Sequence, residues 1–359
     1  MARTVIPFGP QHPVLPEPVH LRLEMEDEKV VGVIPVIGYV HRGIEKAAEM
    51  NNFRRNSFLL ERICGICSFI HALTYCQGIE ALMGIEVPPR ADFLRVFWSE
   101  LSRVHSHLLW LGLFADAMGF ESLFMQCWRA REMILDISEM TAGHRIIQST
   151  CVIGGVRRDI DKEMVKEIDK RFLAFKEMMD NTVSPAVKHD PTIKRRTVNK
   201  GVLSKEQAEL SGAVGPTARG SDVDLDIRQT GYAAYRELGF EAVGETAGDS
   251  YARTLVRLRE IYASLELMRK ALTMMPGGEI AVRIHGNPEG EIISRTEQPR
   301  GELFYYMKGN GTRNLERIKV RTPTFANIPA LLAMLPGCEL ADVPVITLSI
   351  DPCFACTER

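Results

Sequence analysis

The chain closes on 351-DPCFACTER-359, which sets a C-x-x-C pair, Cys353 and Cys356, within its last seven residues. Chain ends fray unless something ties them down, so two thiols placed there imply a fixed partner. A second pair at the same spacing, Cys64 and Cys67, lies in 62-RICGICSFIH-71, and 285 residues separate Cys67 from Cys353. A zinc ribbon keeps its pairs roughly 15–20 residues apart, and a thioredoxin-like redox motif would account for one pair but not two. Bringing both pairs together makes a four-thiolate site and pins the terminus. Spacing alone leaves open structural zinc, an iron–sulfur cluster or other redox metal such as nickel, or no metal at all.

The other four cysteines, Cys76, Cys127, Cys151 and Cys338, stand singly and read as small buried hydrophobes. A formal net charge of −2 argues against a general nucleic-acid binder, which carries a basic excess. No run reaches the roughly 18 apolar residues of a membrane span. The most apolar helical stretch, 108-LLWLGLFADAMGF-120, is interrupted by Asp116. The N-terminus has no apolar signal core, so the expectation is an intracellular protein.

The patterning predicts a mainly α chain with small β elements: a bundle of long helices with small sheets near its two ends. Residues 1–50 read as a small sheet, with VHLRLEME and KVVGVIPVI forming a hairpin around DEK. Residues 51–275 read as a helical core. ADFLRVFWSELSRVHSHLLWLGLFADAMG keeps helical spacing over some seven turns. A second helix ends near Gly143, and a third starts with Asp159 and Asp161 in its first turn. The segment 191–231 reads as mostly loop. A further long helix stops at PGG, 276–278, and residues 276–359 form a mixed part with two strand-like pieces, a final helix and the terminal thiols. The whole is read as one domain, and no glycine fingerprint for a dinucleotide stands between a strand and a helix.

RICGICSFIH and DPCFACTER resemble the two metal-binding motifs of the large subunit of nickel–iron hydrogenases, R-x-C-G-x-C-x-x-x-H and D-P-C-x-x-C-x-x-R/H. FGPQHP (8–13), YVHRGIEK (39–46), RVHSHL (103–108), IGGVRRD (153–159), QPRGELFYY (298–306) and RTPTFANIPAL (321–331) resemble its membrane-bound, energy-converting branch. That branch is related to the quinone-site subunit of respiratory complex I. The resemblance implies the hydrogenase large-subunit fold and a nickel held by Cys64, Cys67, Cys353 and Cys356. Cys67 and Cys356 would bridge to an iron carrying carbonyl and cyanide. Precursors in this family are often cut after the His or Arg that follows the last pair, which here is Arg359.

The same resemblance assigns further roles. Arg300, in QPRGE, would hold its permanent charge over the open position of the centre, with Pro299 fixing the loop. Asp351 would either hold Arg300 or cap the turn. Heterolytic cleavage of hydrogen leaves a proton needing a base; a terminal thiolate, Cys353, would take it and Glu17 would carry it away. The Glu17 match departs from the family pattern, because Pro18 and Val19 separate it from His20. His71 would hydrogen-bond near a bridging sulfur. Glu45 would lie near a second, structural magnesium or iron ion. His105 and His107 do not share a helical face and read as hydrogen-bonded or exposed rather than as ligands. Ser106 departs from an acidic residue of the uptake branch.

Electrons must also move, and no further cysteines have ferredoxin-like spacing. The resemblance implies a small subunit with a four-iron cluster, a further hydrophilic iron–sulfur subunit, ferredoxin, and integral membrane subunits that move ions. This chain would sit peripherally on the cytoplasmic face of the membrane. Two other readings are weighed against that one. A quinone-binding relative of the complex I subunit lacks the four ligands. An interaction protein built on structural zinc leaves Arg300, Glu17 and Arg359 unexplained.

Overall fold

The computed structural model describes residues 3–359 and is mainly helical with small antiparallel sheets. The N-terminal sheet has strands β1 (Thr4–Phe8), β2 (His20–Glu26) and β3 (Lys29–Val36), in that order. Alternation in β2 buries Leu21, Leu23 and Met25 on one face. That face packs with Phe8 and Val30 against the C-terminal helices. Helix α1 (Ile44–Met50) follows.

Helix α2 (Ser68–Met83) starts directly after Cys67, so the first cysteine pair lies on the turn that enters it. Helices α3 (Pro89–Ala117), α4 (Glu121–Ala142) and α6 (Ser250–Met274) pack together, with α5 (Lys162–Met178) outside α4. Pro89 opens α3 at its first position, where the missing N–H costs nothing. Gly143, left-handed at φ +80°, ends α4 as expected.

The C-terminal sheet pairs β4 (Glu289–Gln298) with β5 (Gly301–Asn310), and β5 with β6 (Leu315–Arg321). Helices α7 (Pro323–Met334), α8 (Val343–Ser349) and α9 (Phe354–Glu358) complete the chain. The turn between β4 and β5 is Pro299–Arg300, so the sheet delivers Arg300 to the interior.

Three expectations change. The segment 191–231 is not mostly loop: it holds short helices at Pro191–Thr197, Lys205–Leu210 and Gly215–Arg219 and a tight turn at Ile227–Thr230. Asp190, Ser204 and Asp226 cap three of these, the last two in reciprocal capping boxes with Gln207 and Gln229. The strand β6 was not expected, because charged residues interrupt its apolar positions. Asp161 is the N-cap of α5 rather than part of its first turn, and Asp159 lies outside the helix, paired with Arg90 at 2.8 Å.

Asp161 accepts from the N–H groups of Glu163 and Met164 at 2.9 and 2.8 Å. Asp161→Ala is therefore expected to destabilise the fold by about 1 kcal/mol. Thermal unfolding followed by circular dichroism should show the midpoint falling by about 2 °C.

Candidate metal centre

Two short backbone segments, far apart in sequence, place the four thiols. Cys64 is the extended residue that ends a 3-10 turn, and Cys67 occupies the position just before α2. Cys353 caps α9, its sulfur accepting from the Cys356 N–H at 3.4 Å. All four side chains are buried. Cys64 Sγ lies 3.5 Å from Cys353 Sγ, and Cys67 Sγ 3.6 Å from Cys356 Sγ. The sulfurs of Cys64, Cys67 and Cys356 fall within 4.8 Å of one another. These separations are far beyond a disulfide's bond length and match sulfurs facing one common point.

The electrostatics of the thiols agree with that reading. Hydrogen bonds from Cys353, and then from Cys356 and Cys67, hold the Cys64 thiol well below its ordinary range. Cys353 receives a hydrogen bond from Cys356, but the Cys64 bond, burial and the Cys64 charge together push it well up. Cys67 is raised in the same way, against its own bond from Cys356, and burial raises Cys356. Protein groups alone thus favour one thiolate and three thiols. Four thiolates require cationic metal, whose loading expels the remaining protons. Buried soft donors in this arrangement fit a nickel–iron centre, and the opposing charge is already in place in Arg300.

Arg300 is 2% exposed. Its Nε donates to the Asp351 carbonyl and its Nη2 to Asp351 Oδ1, both at 2.8 Å, while Nη1 reaches Ser106 Oγ at 3.4 Å. Asp351 therefore holds Arg300, and it does so from a left-handed backbone, φ +56°, a conformation Asp tolerates better than most residues. Pro299 occupies the first position of the turn. That turn touches Gly215, where a Cβ would stand 2.3 Å from the Arg300 carbonyl oxygen.

Glu17 reaches Cys353 directly. Its Oε1 accepts from Cys353 Sγ at 3.6 Å and its Oε2 from the Ala355 N–H at 2.7 Å. Burial, then the Cys64 charge, raises its carboxyl above the usual range, against the pull of Ala355, Arg300 and Cys353. His71 bonds Tyr305 through Nδ1 at 2.7 Å and Cys356 Sγ through Nε2 at 3.5 Å. Burial holds the imidazole neutral, down at about 4, and keeps the Tyr305 phenol protonated. With the phenol donating to Nδ1, Nε2 carries the ring proton and donates to Cys356. His105 and His107 are buried and face protein partners, Arg131 and Glu260.

Glu45 differs from expectation. Its Oε1 accepts from Arg359 Nε at 2.8 Å and the Val320 N–H at 2.9 Å, and its Oε2 from Lys319 Nζ at 2.7 Å. A guanidinium and an ammonium already neutralise the carboxylate, so these residues do not fit the structural magnesium or iron ion. Arg42, not singled out in the sequence, joins both thiol segments. It donates to the carbonyls of Arg62 and Ile63 at 2.9 and 2.7 Å and to that of Ala355 at 3.0 Å. Its position in YVHRGIEK was visible; its role, recognition of backbone carbonyls, leaves no side-chain signature.

Comparison with known proteins places this site in context. The family described as the 49 Kd subunit of respiratory-chain NADH dehydrogenase matches residues 117–287 and 280–359, and the nickel-dependent hydrogenase family matches residues 42–114. The chain is 42% identical to the carbon monoxide-induced hydrogenase of Rhodospirillum rubrum, covering 100% of both chains. It is 40% identical to the membrane-bound hydrogenase subunit alpha of Pyrococcus furiosus, over 99% of this chain and 87% of that one. A chain in the structure of the membrane-bound sulfane sulfur reductase, an archaeal respiratory membrane complex, superposes with a TM-score of 0.94 at 29% identity, covering 99% and 98% of the two chains.

If the four sulfurs share one centre, Cys67→Ser or Cys356→Ser should leave less than about a tenth of the wild-type nickel. Cys338→Ser, at a half-buried thiol whose charged neighbours are Asp342, Lys200 and Glu339, should leave nickel content unchanged. Elemental mass spectrometry of anaerobically matured protein checks both.

Proposed function

The chain belongs to the family of nickel-dependent hydrogenases and 49 kDa NADH dehydrogenase subunits, and from that premise we propose that it is the catalytic subunit of an energy-converting hydrogenase. The reaction is the reversible heterolytic cleavage and formation of H₂. The observation that carries this reading is the convergence at Cys353 of a buried thiol cluster, a carboxyl and, through Asp351, a guanidinium. A nickel–iron centre with carbonyl and cyanide ligands would supply the two-electron chemistry.

The residues of the chain divide the remaining tasks. Cys64, Cys67, Cys353 and Cys356 would hold nickel, with Cys67 and Cys356 shared with iron. Glu17 exchanges a proton with Cys353 Sγ; burial, which raises its affinity for protons, suits it to take a proton from that thiol and pass it on. Arg300 holds a fixed positive charge beside the thiolates and needs no reorganisation to do so. His71 donates to Cys356 and limits the charge on that sulfur. A cavity of about 30 Å³ beside Cys353 is lined by Ile66, Leu109, Leu113 and Leu348 together with Glu17 and Arg300. It has room for one small molecule, and its apolar wall suits a gas rather than water.

Electrons would pass to a small subunit with a four-iron cluster, then through a further hydrophilic iron–sulfur subunit to ferredoxin. Integral membrane subunits would couple the reaction to ion translocation. Among the described residues no helix is long and apolar enough to cross a membrane. In such a complex the chain would take a peripheral place on the cytoplasmic face. The match to the 49 Kd subunit favours one competing reading, a quinone-binding module; the facing thiols have no use in it.

The test is metal content with infrared spectroscopy and H₂ evolution on the anaerobic, matured protein. About one nickel per chain, iron alongside, and carbonyl and cyanide bands are expected. Zinc in place of nickel, or protein lacking those bands after maturation, would sink the proposal. Glu17→Gln should keep the metals and bands while H₂ evolution falls by about 100-fold or more.

A further inference from the structure

Several buried polar atoms on residues near Arg300 in sequence or in contact with its surroundings have no partner among the described residues. They are Nε and Nη2 of Arg257, Oδ2 of Asp351, both amide atoms of Gln298, and Oγ1 of Thr347. None of these four residues is more than 3% exposed. Buried polar atoms left unpaired cost on the order of 1–3 kcal/mol each, so a donor-and-acceptor group of them marks a place where something else is bound.

Gln298 and Thr347 stand close in sequence to Arg300 and Asp351, and Arg257 is the residue whose contacts reach the same place. Gln298 directly precedes the Pro299–Arg300 turn, and Thr347 lies on α8, one turn ahead of Asp351. On α6, Arg257 stands between Arg253, whose Nε meets Ser349 Oγ at 3.0 Å, and Glu260, which meets His107 at 2.7 Å. The helix thus directs Arg257 toward α3 and α8. There its guanidinium covers the Trp110 ring at 4.3 Å, and Trp110 Nε1 donates to the Leu348 carbonyl at 2.7 Å. Trp110, Leu348 and Asp351 also line the cavity beside Cys353. Among the described residues, the only protein acceptor met by Arg257 is the Arg253 carbonyl, at 2.9 Å from Nη1. Among charged groups, Asp351 acts on it most strongly, and Arg300 repels it.

We propose that these unpaired atoms enclose an ordered internal water, and that Arg257, bridged through it to the free Oδ2 of Asp351, is a positioning residue for Arg300. The two free donors of Arg257, Nε and Nη2, and the free Oδ2 of Asp351 supply three of the two to four partners such a water needs. Asp351 then carries a guanidinium on each oxygen: Arg300 directly and Arg257 through water. The group keeps one positive charge in excess, directed at the thiolates. Arg257 also fixes the far face of Trp110, and with it one wall of the cavity.

This inference rests on the hydrogenase reading only for its spectroscopic and turnover arms. The experiment uses the matured complex, with Arg257→Met to remove the charge and Arg257→Lys to keep it. High-resolution density of the wild type should show water between Arg257 and Asp351. At unchanged nickel content, Arg257→Met should shift the carbonyl and cyanide bands and lower H₂ turnover about tenfold. Arg257→Lys should fall between it and wild type. Density with no water between Arg257 and Asp351 overturns the proposal, as do bands and turnover identical to wild type in Arg257→Met. If Arg257→Met fails to fold, Arg257→Lys decides: bands and turnover indistinguishable from wild type overturn it. Wild type without carbonyl and cyanide bands would defeat the hydrogenase reading, while the density would still decide the water.

Discussion

Four sulfurs drawn from opposite ends of the chain must face one point in a dry interior, and much of the architecture follows from that requirement. A nine-residue tail cannot be held by its own helix, α9, which has five residues. It is held from outside instead. Arg42 ties the Ala355 carbonyl to those of Arg62 and Ile63, and Glu17 takes the Ala355 N–H. Thr324 accepts from the Cys353 N–H, and Glu45 takes the terminal Arg359. The N-terminal sheet therefore serves the site directly: it carries Glu17 on its approach to β2 and packs against Phe354.

The second requirement is charge. A cluster of thiolates in low dielectric costs far more than packing returns unless cations lie close by. Arg300 supplies one, and its turn is held in turn by a deeper network. Arg103 donates to the carbonyls of Glu297 and Gln298 at 2.8 and 3.0 Å, and its Nε faces Glu100. Glu100 and Glu260 share Arg228, and Glu260 and Glu297 share Arg219. Burial, then the neighbouring Asp226, raises the Glu297 carboxyl to about 7. A network with four carboxyls and three guanidiniums is thus close to balance when Glu297 carries its proton. Buried ion pairs contribute little net stability; here they fix where the β4–β5 turn points.

What was legible in the sequence was what local pattern writes down. The long helices declared themselves by spacing, the thiols by two C-x-x-C pairs, and Gly143 by its place after an apolar run. Glu17 and Cys353 are 336 positions apart, and only a family motif, imperfectly matched at Pro18 and Val19, linked them. Asp351 stood with two readings, and the structure gives it the contact with Arg300. The short helices after Asp190, Ser204 and Asp226 were hidden by a Gly- and Asp-rich composition, although each of these residues is a good N-cap. Arg42, Arg103 and Arg257 were illegible for a common reason. Apart from the Arg103–Glu100 pair, they act on backbone carbonyls and an aromatic face, and neither kind of partner has a sequence signature.

Scaffold and chemistry are separable in this protein. The Glu100–Arg103–Arg228–Glu260–Arg219 network makes no hydrogen bond to any of the four cysteines. Loss of the thiols would therefore leave the network and the β4–β5 turn supported. A fold with this independence can serve a redox complex with or without a metal in the thiol position, which is why similarity of fold alone does not fix the reaction. The evidence that bears on it is local: a carboxyl with raised proton affinity at Cys353, a permanent cation held by Asp351 beside the same cavity, and the sulfurs of Cys64 and Cys353 3.5 Å apart. Of the readings weighed, the proposed splitting or forming of H₂ is the one that gives each of them a use.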